Sequence, residues 1–153
     1  MSGNNPRDIL SAVKTTLAAS PSLVPATVRQ ILLGMDTDFS AGFPAARIYL
    51  SDFSSPVTDT VSYERTWGIM IEVWQEATAK NKEDAELDFA NAIHTVLNRL
   101  QGTGGSPATW QLGIGVENAE VQASPIKLVE SPMGPMRVAP IRLTVTTLIQ
   151  NPS

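Results

Sequence analysis

Apolar residues recur along this chain with two different periods, and the changes of period mark out its elements. Between residues 6 and 19, Ile9, Val13, Thr16 and Leu17 recur at helical spacing until Ala19-Ser20-Pro21 stops the pattern. Asn5 suits the N-cap, Pro6 the first helical position, and Asp8 can reach back to complete a capping box. The narrow stripe predicts a helix lying on the edge of a sheet. The richer stripe lies in 82–100. At 100° per residue, Ala85, Phe89, Ala92, Ile93, Val96, Leu97 and Leu100 fall within a sector about 140° wide, with Leu87 and His94 on the far side. Asn81 caps this helix, Asp84 completes the box, and Gly102 ends it. Such a stripe predicts packing across the dry face of a sheet.

Four stretches alternate with period two. In 45–50, Ala46, Ile48 and Leu50 oppose Arg47 and Tyr49; in 63–75, Tyr63, Trp67, Ile69, Ile71 and Val73 form one row, and Glu64, Thr66, Gly68, Met70, Glu72 and Trp74 the other. The same alternation runs through 110–116 and 141–149, and a weaker strand is expected within 119–129. This is the pattern of half-buried strands. The run 21–33, with Val28, Ile31 and Leu32, suits either a helix or an extended segment ending at Gly34, and the extended reading is preferred. The connections 51–62 and 102–109 are too short for helical crossovers between parallel strands. The expected fold class is therefore α+β: a mainly antiparallel β-sheet with helices packed on one face, in a single domain over 1–153 with a short polar tail at 150–153.

Composition narrows the function by exclusion. The 153 residues are 42% hydrophobic and suit one domain that buries roughly two-thirds of its unfolded surface. No apolar run exceeds three residues, against the roughly 20 of a membrane span, so no membrane association is expected. Met-Ser-Gly-Asn-Asn-Pro-Arg-Asp at the N-terminus has neither a basic region nor an apolar core, so no secretory signal is expected. Without Cys there is no disulfide, thiolate zinc site or Cys nucleophile. The net charge of −4 is opposite to that of a domain that grips phosphate backbones.

The chemically suggestive residues read as structural. The one histidine, His94, has no GxSxG elbow to work with and sits on the outer side of a helix. Gly113-Ile-Gly115 lacks the third glycine of a dinucleotide fingerprint and stands in strand-like sequence. Asp36 and Asp38 lack the further oxygen ligands a hard cation needs and read as a turn. Glu83, Asp84, Glu86 and Asp88 open a helix, where the macrodipole favours negative charge. No catalytic residue, metal site or cofactor is assigned.

What remains is apolar material outside the core rows. Two loops, 51–62 with Phe53 and Val57 and 130–137 with Met133 and Met136, combine stiff backbone with adaptable side chains. Met70 and Trp74 lie in the wetter row of their strand, and Leu87 on the outer face of its helix. These seven residues are the candidate contact sites, because a lone domain gains little by exposing them.

The capped first helix, Phe43-Pro44-Ala45-Ala46-Arg47-Ile48-Tyr49-Leu50, the strand Tyr63–Trp74, the acidic-start helix 82–100 and the terminal Leu143-Thr144-Val145-Thr146 follow one another in a familiar order. The chain resembles the tail terminator (tail completion) proteins of long-tailed bacteriophages and phage-tail-like particles. The resemblance is architectural, covers most of the chain and carries over no functional residue. It implies a non-enzymatic virion protein, assembled in the host cytoplasm and resident in the tail or neck. Its partners, as the resemblance implies, would be copies of itself in a hexameric ring, the tail tube protein and the head-tail connector or stopper, with DNA only passing through the channel. Alternatives are another joint protein of such particles (head-completion, stopper, tube-like or minor tail protein) and a small binding module from outside phages.

Overall fold

The computed structural model describes residues 6–19, 27–54, 62–78, 82–101 and 116–150. In chain order they form α1 (Pro6–Ala18), β1 (Ile31–Leu33), β2 (Ala45–Ser54), β3 (Ser62–Glu76), α2 (Lys82–Gln101), β4 (Val116–Ala123), β5 (Lys127–Ser131) and β6 (Gly134–Gln150). The strands make one sheet in the order β1-β2-β3-β6, with β4 and β5 both paired along the outer side of β6. The pair β1–β2 is parallel and the others are antiparallel. The α+β class read from the sequence is the class of the structure.

The alternation in sequence becomes two faces. On one, Ile48 pairs with Ile71 and Ile71 with Ile141; Ile69 pairs with Leu143 and Trp67 with Val145. All seven are buried in one cluster with Ile9, Val13 and Leu17 of α1 and Phe89, Ala92, Val96 and Leu100 of α2. Both helices therefore cover the same face, and each buries the stripe its spacing marks. Fully burying side chains of this size stabilises by roughly 1.5–3 kcal/mol apiece, which makes this layer the main source of stability.

Several boundaries differ from the sequence reading, each for a local reason. The loop expected over 51–62 is shorter, because β2 continues to Ser54 and β3 starts at Ser62. A shift of register between Leu50 and Asp52 turns Phe53 onto the helix-bearing side opposite Trp67. Segment 130–137 is a tight hairpin rather than a loop. Ser131 pairs with Gly134, whose φ of +106° suits a residue without Cβ, and β6 begins there. The weak strand within 119–129 is two strands, β4 and β5, set end to end along β6. Of the ambiguous 21–33 run, Ile31–Leu33 is extended, and 20–26 lie outside the described residues. So do the caps Asn5, Asn81 and Gly102 and all of the 110–116 strand except Val116.

Candidate interaction surfaces

The face without helices is built from the row that alternation assigns to water, yet part of it is dry. Phe39, Ala45, Trp74, Met136 and Val138 form a second buried cluster, with Leu32, Phe43 and Val129 packed against it. The Phe39 ring lies 5.7 Å from that of Phe43 and 5.8 Å from that of Trp74. Trp74 and Met136, named above as contact residues, are 4% and 1% exposed. That placement is corrected: the segment before β2 folds over them and buries them within the chain.

Beside this cluster Glu72 gathers three donors. Arg47 Nε donates to Glu72 Oε1 at 2.6 Å, Tyr49 Oη to Oε2 at 2.8 Å, and Trp74 Nε1 to Oε1 at 3.2 Å. The Arg47 guanidinium lies 5.1 Å from the centres of both the Tyr49 and the Trp74 rings. Its Nη1 reaches the Met35 carbonyl at 2.7 Å and so fastens the turn after β1. Burial, together with the bond to the Glu72 carboxylate, pushes the Tyr49 hydroxyl up from 10.0 to about 12. The raised value means that the neutral phenol supports the fold fully below its ordinary value and that this support disappears as pH climbs through about 12. The sequence has 2 tyrosines. An alkaline titration followed by phenolate absorbance should show one ionising near pH 12, and Tyr49→Phe should remove that late phase.

Further along the face, Arg142 Nη2 pairs with Asp52 Oδ1 at 2.6 Å, reaching from β6 to β2 across the intervening β3. The residue beneath the bridge is Gly68, where any Cβ would collide with both the Asp52 carboxylate and the Arg142 guanidinium. A side chain here would have to displace this exposed pair, so the glycine lets the bridge lie close over β3.

The remaining candidates separate by exposure. Phe53 is 65% exposed and stacks on Trp67 at 5.6 Å; Leu87 is 62% and Met133 46% exposed, and Met70 is half-buried. Val57 lies outside the described residues. Exposed apolar residues that the sequence reading passed over are Leu33, Met35, Leu50, Ile126 and Leu128. Four of these five sit in or beside the outermost strands, and only pairing topology reveals that. His94 is exposed and bonded to Asn98 at 3.0 Å, and Asp38 N donates to Asp36 Oδ1 at 3.0 Å in a local turn. Glu83 and Asp84 occupy the first turn of α2, and Glu86 pairs with Arg137. Gly113 and Gly115 are outside the described residues. An open cleft at the start of α2 is lined by Gln75, Glu76, Ala77, Lys82, Ala85, Glu86 and Arg137, with the Glu86 carboxylate paired with Arg137. Among the described residues no group of three His, Cys, Asp or Glu side chains is placed to hold a metal ion.

No family model matches the chain, and no curated protein matches it by sequence. Its fold is similar to that of a chain in a structure titled as the virion of a native gene transfer agent particle, with a TM-score of 0.56. The identity is 14%, and the match covers 92% of this chain and 94% of the other.

Proposed function

We propose that this chain is a structural virion protein, a ring-forming tail terminator. In this role it caps the tail tube, stops its polymerisation and offers its other surface to the head-tail connector. The observation that carries the reading is the end-to-end fold likeness to a virion chain, 92% of one against 94% of the other, so that the shared architecture is the whole domain. The order of elements that resembles the terminator family points the same way. The residues support an adhesive rather than a catalytic protein: polar groups of the helix-free face are engaged with one another, while large apolar side chains stand exposed along the rim. A net charge of −4 agrees with a conduit that lets DNA pass without holding it. By its resemblance to the terminator family the ring is a hexamer, located at the junction of tail and head and assembled in the host cytoplasm.

The test is removal of the chain from the producing cell, followed by electron microscopy of the particles. Tails of irregular length and unattached heads are expected, with normal particles restored by the intact chain. Tails of uniform length joined to heads in its absence overturn the reading, and a ring found elsewhere in the particle replaces it with another joint protein.

A further inference from the structure

Among the described residues, five of the eight exposed large apolar side chains lie at two opposite edges of the sheet. On one side stand Leu33 in β1 and Met35 just after it, 46% and 63% exposed. On the other stand Leu128 in β5, Ile126 before it and Met133 after it, 71%, 47% and 46% exposed. Among the described residues β1 pairs only with β2, and β5 only with β6. Among the described residues each edge thus has backbone donors and acceptors without a strand partner, beside apolar side chains, the combination that recruits another strand.

The two edges match each other in strand sense and in their apolar rows. Along the path β1-β2-β3-β6-β5 the direction of the chain is kept once and then reversed three times, so β1 and β5 run in opposite senses. Continuing the sheet from one copy to the next in the same orientation therefore sets β1 antiparallel to β5. Leu33 pairs with Ile48 and Leu128 with Arg137, and Ile48 and Arg137 both point to the helix-bearing side. Leu32 and Val129 both pack against the second cluster on the other side. An antiparallel junction with Leu33 opposite Leu128 places Leu32 opposite Val129, so both apolar rows run on across the boundary. The exposed charges agree as well. Arg29 precedes β1 and Asp36 follows it, while Lys127 begins β5 and Glu130 stands near its end. In the antiparallel sense Arg29 approaches Glu130 and Asp36 approaches Lys127. Two-fold β1–β1 and β5–β5 junctions would set Arg29 near Asp36 and Lys127 near Glu130, and cross-linking separates them from the head-to-tail junction.

We propose that β1 of one copy adds to β5 of the next, a head-to-tail junction that extends the sheet from subunit to subunit. The occupant of each edge is a second copy of this chain. Unlike surfaces in contact propagate, and a ring is the closed form of such a series. The closure rests on the terminator reading, whereas the pairing of the edges does not.

The sequence has no Cys, so single cysteines report cleanly. Leu33→Cys and Leu128→Cys proteins are mixed in equal amounts and treated with a short bismaleimide, with each protein alone and a mixture of Leu128→Cys with His94→Cys as controls. The first mixture should give a one-to-one covalent dimer about tenfold faster than any control, because contact turns the second step into a local one. The double variant Leu33→Cys/Leu128→Cys should give a ladder of multimers. Equal or faster linking of either protein alone means a two-fold contact and overturns the proposal; so does linking of the mixture no faster than with His94→Cys. Particle phenotype is read separately: a ladder with normal tails in the absence of the chain sinks the terminator role and leaves the junction standing, and defective tails without a ladder do the reverse.

Discussion

Phe89→Ala should lower stability by about 3–5 kcal/mol, a large share of what a domain of this size has. Phe89 is the largest fully buried side chain among the described residues, 1% exposed, and the point at which α2 is keyed into the sheet. The Arg137 guanidinium lies 4.9 Å from its ring centre, so the aromatic face also seats a cation from β6. The ion pair of Arg137 with Glu86 is largely solvated and adds little, which leaves the cavity as the main cost. At roughly 2–4 °C per kcal/mol for a chain of this length, the midpoint of thermal unfolding should fall by about 6–20 °C. Leu87→Ala, two residues away and 62% exposed, should change stability by less than about 0.5 kcal/mol. Equal effects of the two substitutions would mean that the buried face of α2 is misassigned.

That contrast shows what could be read in the sequence. Period alone separates Phe89 from Leu87 and Ile71 from Glu72, since each decision depends only on neighbours a few positions away. Where the structure departs from the reading, the deciding contact is distant. The loop read over 130–137, with Pro132 and Pro135, holds the start of β6, which also contains Pro140. The strand tolerates both: Pro135 sits at its start beside the hairpin, and Pro140 at the place where its outer neighbour changes from β5 to β4. Their carbonyls are still used, by Ala77 N at 3.1 Å and Ser124 N at 3.0 Å. Trp74 reads as wet because Glu64, Thr66 and Glu72 share its row, and it is dry because Phe39, from a stretch without period, joins it in a cluster with Ala45, Met136 and Val138. The candidate surfaces were legible to the same extent. Phe53, Leu87 and Met133 stand out by breaking a local pattern, whereas Leu33 and Leu128 sit within strand-like runs and become conspicuous only once those strands prove to be the last in the sheet.

Glu72 has the most to lose among the polar residues, because its carboxylate is the shared acceptor of Arg47, Tyr49 and Trp74. The Arg47 and Glu72 side chains are each only 12% exposed, so water cannot readily replace a missing partner. Glu72→Ala leaves a guanidinium, a phenol and an indole N–H around an empty position. Removing one member of a buried pair costs about 3–5 kcal/mol, mostly from the charge left behind. Removing both charges should cost less, so Arg47→Leu/Glu72→Leu should be more stable than Glu72→Ala in denaturant unfolding, despite carrying more changes. The double variant nevertheless loses the bond from Arg47 Nη1 to the Met35 carbonyl, which fastens the turn beside Leu33. Its fold should therefore survive while its β1 edge loosens, and introduced into the Leu33→Cys partner it should slow the cross-link to Leu128→Cys. A double variant no more stable than Glu72→Ala would show that packing around the carboxylate, rather than the uncompensated arginine, sets the cost. A double variant that links at the undiminished rate would show that the turn after β1 holds its shape without Arg47.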